Sequence, residues 1–368
     1  MQIHNHHPNK MIYFLDWRGA LFGIVLGVIA FLLIYGSSTL DGANIGWLHG
    51  GDPLTYYLNA AFFQQNPWTF PPGLNPAYGL EIPSAIGLSD AIPLFGFLYK
   101  LAYGLTGQTS QYLGAWLCFC FAMQGFFGWL LASQQTSIFS IKLSFVILVI
   151  FMPAFLARGL QFNHYPLVAH FLILAAFLIF FCKEGGRKGA FWAILCFVAV
   201  LSNTYIFVMV LSIWVADLAA RYFGARSRVL YLGSELVGIL FLVTITLWLS
   251  GFFALGSGYQ SDGFGLYRAN LLSIFDSKPG HISWSYFLPG TPKVSIEHNA
   301  PNFLGSGSLI VIVASLFFIL RSKIKFRWNR ELLLLSIVML ALLLFSLSNK
   351  ISVGSYEITI PINSHIER

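Results

Sequence analysis

The sequence predicts an all-α protein that crosses a membrane several times. Hydrophobic residues make up 57% of its 368 residues and charged residues only 10%, and the mean hydropathy is +0.72. This composition excludes an ordinary soluble domain. Apolar segments close to the roughly 17–25 residues that a spanning helix needs recur along the chain. The net charge of +7 does not indicate a nucleic-acid partner, because Lys and Arg gather in short runs between apolar segments, as in cytoplasmic loops.

Nine of these segments are predicted to span the membrane as helices. Several are short for a full crossing and would need tilt or local thinning of the bilayer. The positive-inside rule then predicts a multi-pass protein of a bacterial inner membrane, with a cytoplasmic amino terminus and an outer carboxyl terminus. The nine segments are 19–36, 112–132, 143–157, 166–182, 189–202, 204–221, 229–256, 306–321 and 332–348.

A tenth apolar segment, 91–107, is predicted to lie flat in the outer interface. If it crossed the bilayer, the basic runs that begin at Lys183 and Arg321 would share the side of the acidic first loop, against the positive-inside rule. Lys100 near its middle favours the same interpretation. A cation at mid-bilayer is costly, whereas an interfacial helix can leave it at the lipid head groups.

We therefore expect one transmembrane domain, residues 1–348, and a short outer tail, 349–368. This tail either ends a natural short form or is cut short. The predicted outer regions within the domain are a large first loop, 37–111, which contains interfacial helices, and two later loops, 158–165 and 257–305. Irregular backbone cannot lie in hydrocarbon, so these regions should meet water.

The first outer loop holds the strongest candidates for chemistry. Between residues 45 and 90 it carries Asp52, Glu81 and Asp90 but no Lys or Arg. Asp52 and Asp90 each precede a predicted helix, so each could simply cap that helix. Brought together by the fold, the same two carboxylates could instead hold a divalent cation or act as a base. Aromatic residues crowd this loop and could either stack on a sugar or form an interfacial belt.

The order of these features resembles the GT-C fold of glycosyltransferases that use polyprenyl-phosphate sugars. The shared pattern is a first helix, a long outer loop with an early acid, and an acid-led interfacial helix with a central lysine. The segments GDPLTYYLNAAFFQQNPWTFPPGLNPAYGLE and SDAIPLFGFLYKL are similar to an uncharacterised family of bacterial GT-C-like membrane proteins, and a looser similarity extends to about Gly307. The resemblance implies a GT-C fold, Asp52 as catalytic base or metal ligand, and Asp90 as a further metal ligand. The implied cofactor is a divalent cation, Mg²⁺ or Mn²⁺.

The later outer regions add candidates for substrate binding. Arg158 could bind a lipid phosphate through charge-assisted hydrogen bonds or extend to the head groups. His164 and His170 are six residues apart and do not share a helical face, which disfavours a zinc site. GT-C enzymes often carry another acid in this loop, and this chain has none there. The candidate substrate-binding residues are Tyr56, Tyr57, Glu81, Arg158, Asn163, His164, His170, Arg268, Glu297 and His298.

These features together predict an inverting glycosyltransferase at the outer face of the membrane. Its partners would be the lipid bilayer, a polyprenyl-phosphate sugar, and a glycan, lipid or protein acceptor. A transporter or flippase of lipid-linked sugars is one alternative, and a non-catalytic GT-C-like scaffold is another. Transporters usually place ionisable groups near the midplane and show repeated halves, whereas here the charges collect at helix ends and no repeat is visible.

Overall fold

The computed structural model of the protein describes residues 16–48, 50–79, 84–182, 187–224, 229–254, 268–275, 303–322, 329–353 and 356–361. Within these ranges the protein is mainly helical. In chain order the helices are α1 (Trp17–Tyr35), α2 (Asp52–Gln65), α3 (Pro93–Thr106), α4 (Leu113–Gln135), α5 (Phe139–Ile150), α6 (Pro153–Leu160), α7 (Phe171–Phe181), α8 (Lys188–Ser202), α9 (Thr204–Gly224), α10 (Val229–Leu249), α11 (Ser306–Arg321) and α12 (Arg330–Leu347).

Three short 3-10 helices, Ser37–Leu40, Tyr165–Val168 and Leu271–Ile274, and two small antiparallel hairpins also occur in these ranges. In the first loop, β1 (Leu74–Asn75) pairs with β2 (Ser84–Ala85). After α12, β3 (Lys350–Val353) pairs with β4 (Tyr356–Thr359), with Lys350 opposite Thr359. The first hairpin docks on the carboxyl end of α10, where Gly73 N–H donates to the Leu249 carbonyl at 2.8 Å.

Every apolar segment that the sequence marks as a span contains a helix. Three of these helical segments are shorter than a usual span: Tyr165–Phe181, Lys188–Ser202 and Ser306–Arg321. The helical segments that are long and apolar enough to cross a membrane are Trp17–Tyr35, Leu113–Gln135, Phe139–Leu160 (which combines α5 and α6), Thr204–Gly224, Val229–Leu249 and Arg330–Leu347. The helices are compatible with a membrane-embedded protein. The count of nine spans and the GT-C architecture stay predictions.

The segment predicted at 143–157 is two helices rather than one. Helix α5 ends at Ile150 and α6 begins at Pro153, with Phe151 and Met152 between them. Proline has no backbone N–H to donate, so it cannot continue the hydrogen-bond ladder of α5, but it fits the first turn of a new helix. The break turns the chain toward the second outer region.

Helices α1 and α4 pack at backbone contact. Gly23 and Gly27 lie one turn apart on the same face of α1. A Cβ added at Gly23 would come within 2.4 Å of the Gly125 carbonyl oxygen, and one at Gly27 within 2.1 Å of the Phe121 carbonyl oxygen. Small residues allow such close approach between helices in a membrane. This contact fixes α1 against α4, the most buried of the long apolar helices described.

Helix α3 matches the predicted interfacial segment, but the environment of Lys100 differs from the expectation. Its residue surface is 2% exposed, so it does not extend to the head groups. Its Nζ lies 4.1 Å from the centroid of the Phe63 ring and donates to the Pro67 carbonyl at 3.3 Å. Burial lowers the pKa of Lys100 to about 8. The sequence suggested that Lys100 reaches the lipid head groups. In the structure, aromatic rings of the first loop surround its ammonium group instead, as a cation–π site.

Two basic residues that the sequence places in cytoplasmic runs are ion-paired: Lys188, which is buried, and Arg221, which is partly buried. Lys188 Nζ lies 2.5 Å from Asp217 Oδ1, and Arg221 Nε lies 2.8 Å from Asp217 Oδ2. Arg221 also binds both carboxylate oxygens of Glu235. Two indole N–H groups complete the set, one from Trp192 to Asp217 and one from Trp214 to Glu235. We call Lys188, Asp217, Arg221 and Glu235 the paired cluster.

Candidate functional site

Asp52 lies in the first turn of α2, directly after Gly51. Gly51 is the N-cap residue and has a φ of 71°, a conformation that favours glycine. No side-chain capping bond is formed at this helix start. The Asp52 carboxylate turns instead to the second outer region, where its Oδ2 lies 3.2 Å from His164 Nε2. Its side chain is 52% exposed. Asp52 is therefore more than a helix cap.

Asp90 is also not the cap of its helix. The N-cap residue of α3 is Ile92, again without a side-chain capping bond. Asp90 and Ile92 have φ values of 52° and 53°, which non-glycine residues rarely adopt and which are most unfavourable for a β-branched side chain. Asp90 Oδ1 accepts a hydrogen bond of 3.2 Å from Asn203 Nδ2. A strained backbone beside an acid is a common feature of functional sites.

The fold brings these two acids within electrostatic range of each other. Asp90 is solvent-accessible, yet protein surrounds it, and this partial burial raises the pKa of the carboxyl group. The negative charge of Asp52 raises it further, while the hydrogen bond from Asn203 opposes both effects. Tyr56 is 6% exposed, and burial raises the pKa of its hydroxyl, which the negative charges of Asp52 and Asp90 raise further. We call Asp52, Asp90, Tyr56, His164 and Asn203 the acidic cluster.

A tight turn returns His164 to the end of α6. Asn163 has a φ of 54°, and His164 N–H donates to the Arg158 carbonyl at 2.8 Å. Burial lowers the pKa of His164, nearby Arg158 lowers it further, and Asp52 opposes both. A neutral His164 can donate from Nε2 to Asp52. Its Nδ1 is buried and has no hydrogen-bond partner among the described residues.

Arg158 lies in the last turn of α6 and is half-buried. Its charge is close enough to act on both His164 and His170. Within the described ranges no carboxylate forms an ion pair with it. His170 packs its ring 5.7 Å from that of Phe155. The charge of Arg158 therefore reaches both histidines, and of the two only His164 contacts an acid of the cluster among the described residues.

The remaining predicted residues fall elsewhere or outside the description. Tyr57 is half-buried and packs against the helical core. Arg268 contacts the carboxyl-terminal hairpin. Its Nε donates to Ser352 Oγ at 2.9 Å, and its Nη2 pairs with Glu357. This engagement differs from the free phosphate contact that the sequence suggested. Glu81, Glu297 and His298 lie outside the described residues.

Asn203 is the residue of this site that sequence reasoning does not identify. The sequence shows Ser202, Asn203 and Thr204 as a polar interruption between two apolar helices. Such an interruption signals a cavity or a packed junction. Its link to Asp90 requires a contact between residues that are far apart in the chain. The partnership of His164 with Asp52 is long-range in the same way.

The donor set fits a dedicated metal centre poorly. No group of three or more His, Cys, Asp or Glu residues converges within the ranges that the structure describes. Asp52 and Asp90 supply two carboxylates, and each has an oxygen engaged by a neighbouring side chain. Mg²⁺ and Mn²⁺ would need most of their remaining ligands from water or from substrate. We therefore assign no chemical step to a metal.

Comparison with known proteins identifies the family of the chain. A family model described as a domain of unknown function (DUF6311) matches residues 24–368. The chain belongs to this family. No curated protein and no solved structure matches it. The likeness to GT-C enzymes therefore carries only a proposal.

Proposed function

We propose that this protein is an inverting glycosyltransferase that moves a sugar from polyprenyl phosphate to an acceptor hydroxyl at the outer face of a bacterial inner membrane. One arrangement supports the proposal most. Two accessible carboxylates, Asp52 and Asp90, lie within electrostatic range of each other, and His164, which contacts Asp52, lies within range of the charge of Arg158. This combination suits a reaction in which a hydroxyl loses a proton while a phosphate leaves.

Asp52 is the candidate proton acceptor. His164 engages its Oδ2 at 3.2 Å, and the half-exposed carboxylate keeps lone pairs for the acceptor hydroxyl. In the proposed step the acceptor oxygen bonds to the anomeric carbon as the bond from that carbon to the phosphate oxygen breaks. The hydroxyl proton passes to Asp52, and polyprenyl phosphate leaves with the electron pair. The anomeric configuration inverts because the acceptor attacks from the face opposite the phosphate.

Arg158 is the candidate phosphate ligand. A half-buried guanidinium without an acid partner in the described ranges has lost part of its hydration. A lipid phosphate would replace that hydration with charge-assisted, bidentate hydrogen bonds. Asp90 would accept hydrogen bonds from sugar or acceptor hydroxyls. Tyr57, which lies in α2 like Asp52, would offer an aromatic face to the sugar. The sugar and the acceptor, whether glycan, lipid or protein, are open within this proposal.

A transporter or flippase of lipid-linked sugars is the second candidate, and the paired cluster is the observation that favours it. Ionisable residues buried among apolar helices often mark transport pathways. Here the two acids and two bases neutralise each other at one end of α8 and α9. That arrangement suits a fixed structural junction better than a moving charge. A non-catalytic scaffold is the third candidate.

The experiment compares purified wild type with Asp52→Asn and a matched control, Asp41→Asn. Asp41 is an exposed acid in the same loop, and its Oδ1 accepts only a local bond of 2.9 Å from Ala43 N–H among the described contacts. Labelled sugar on polyprenyl phosphate is supplied with an acceptor extract, with and without Mg²⁺, Mn²⁺ or a chelator. We expect Asp52→Asn to lower the transfer rate by about 10²–10⁴-fold, with Tm unchanged and Asp41→Asn fully active.

Persistence of transfer in Asp52→Asn would contradict a catalytic role for this carboxylate. If wild type transfers sugar from none of the donors tested, the proposal that the protein is a glycosyltransferase would be rejected. Movement of labelled lipid between leaflets of proteoliposomes would then favour the flippase. A rate that depends strictly on Mn²⁺ or Mg²⁺ would show that substrate supplies the missing metal ligands.

A further inference from the structure

Asn203 has an orientation that its surroundings determine. The residue lies between α8 and α9 and is 4% exposed. Its Oδ1 accepts from the backbone N–H groups of Tyr205 and Ile206, at 3.0 and 3.2 Å. Because these donors require an oxygen, the amide nitrogen must point the other way. There it donates to Asp90 Oδ1 at 3.2 Å.

Asp90 needs a long-range contact to hold its position. Left-handed conformations at Asp90 and Ile92 are energetically unfavourable and persist only where the surroundings impose them. Repulsion from Asp52 adds to this cost whenever both carboxylates are charged. Among the described residues, Asn203 is the one that donates a side-chain hydrogen bond to the Asp90 carboxylate.

The identity of residue 203 exceeds what a helix start needs. Ser, Thr, Asp and Asn all cap helices well through a side-chain oxygen. Only Asn combines that oxygen with an N–H donor on the same short side chain. The second group is used here on Asp90. A capping role alone therefore leaves the hydrogen bond from the Asn203 amide nitrogen to Asp90 unexplained.

We infer that Asn203 is a positioning residue, which anchors the Asp90 carboxylate to the α8–α9 junction and keeps its second oxygen free for a hydroxyl of the sugar or the acceptor. The inference rests on the proposed function. It adds that the acidic cluster is assembled from four parts of the chain: α2, the segment before α3, the turn after α6, and the α8–α9 junction. Asn203 acts through Asp90 and need not touch the substrate.

The test uses Asn203→Asp, which keeps the capping oxygen, loses the donor and places a second carboxylate against Asp90. We expect kcat/KM for sugar transfer to fall about 10- to 100-fold, the range for losing one hydrogen bond to a charged group. The exchange variant Asn203→Asp with Asp90→Asn restores one amide and one carboxylate in reversed places. It should recover the Tm lost in Asn203→Asp but not the kcat/KM, because the carboxylate then belongs to the α8–α9 junction and not to the segment before α3.

Three results would overturn the inference. Wild-type kcat/KM in Asn203→Asp would show that Asn203 positions nothing. A Tm that the exchange variant does not recover would show that residues 90 and 203 are not coupled. Full activity in the exchange variant would show that the position of the carboxylate does not matter.

The same set separates this inference from the proposed function. If wild type transfers no sugar, the proposed function fails, while the Tm values of wild type, Asn203→Asp, Asp90→Asn and the exchange variant still decide whether Asn203 holds Asp90. If Asn203→Asp does not accumulate, Asn203→Ser takes its place, because serine keeps a capping oxygen and adds no charge. Asn203→Ser should keep a near-normal Tm and lose kcat/KM, and an unchanged kcat/KM would again reject the inference.

Discussion

The paired cluster and the acidic cluster lie at opposite ends of the same two helices, α8 and α9, and differ in how their charges are satisfied. Helix α8 has 15 residues, so its ends are about 22 Å apart. In the paired cluster the side chains are 4–11% exposed and every carboxylate oxygen is bonded. In the acidic cluster both carboxylates are accessible and their described side-chain partners include no Lys or Arg.

The difference separates stability from chemistry. A buried ion network with all its hydrogen bonds made has no capacity left for a ligand, and removal of one member leaves an uncompensated charge. A cluster with accessible oxygens and a histidine next to a guanidinium that has no ion-pair partner among the described residues keeps that capacity. Substitutions in the paired cluster should therefore cost stability, and substitutions in the acidic cluster should cost activity.

The largest effect is expected from Arg221→Met. This change leaves Glu235 with only an indole N–H and removes one of the two cations that Asp217 contacts. We expect a loss of about 3–5 kcal/mol, measured as a fall in Tm in detergent and in accumulation in the membrane. Arg187→Met is the control, because Arg187 is exposed at the same end of α8. Equal Tm values for the two variants would show that the ion pairs of Arg221 do not stabilise the folded protein.

A smaller effect, on binding rather than stability, is expected from Arg158→Met. If Arg158 binds the donor phosphate, the dissociation constant of polyprenyl-phosphate sugar should rise about 10- to 100-fold. Tm should stay constant or rise, because no described acid partner loses its cation. Arg18→Met, at an exposed position in the first turn of α1, should change neither quantity. A fall in Tm like that of Arg221→Met would show instead that Arg158 is structural.

The smallest effect is a pH dependence that only the acidic cluster should show. The pKa of His164 lies below its ordinary value of 6.5, so the unfolded chain binds a proton there more readily than the folded protein. Stability should therefore be lost as pH falls below about 6.5. We expect His164→Phe to flatten this part of the Tm–pH curve, recorded from about pH 8 to about pH 5. An unchanged slope would mean that His164 is not the group responsible.

Local chemistry made most helices predictable but not the environments of their polar ends. Lys188 and Arg187 are neighbours in one basic run, and nothing local distinguishes them. The fold buries Lys188 against Asp217 and leaves Arg187 exposed. Lys100 shows the same limit, since the aromatic faces that surround it come from another part of the loop.

The candidate site divides in a similar way. Asp52 and Asp90 were identifiable because acids are rare in an apolar chain and stand before predicted helices. Their roles stay predictions. His164 and Asn203 became partners of these acids only through the packing of α6 and of the α8–α9 junction against the first loop.

The amino-acid sequence alone was enough to predict a helical, apolar chain compatible with a membrane, the positions of its apolar helices and the acidic character of the first loop. These properties depend on hydrophobicity and charge summed over one helix length, which the chain carries locally. Only the tertiary structure decided which charges are neutralised in pairs and which face solvent beside a second acid. That choice depends on contacts between residues distant in sequence, because the energy of a charge is set by the groups that the fold places around it.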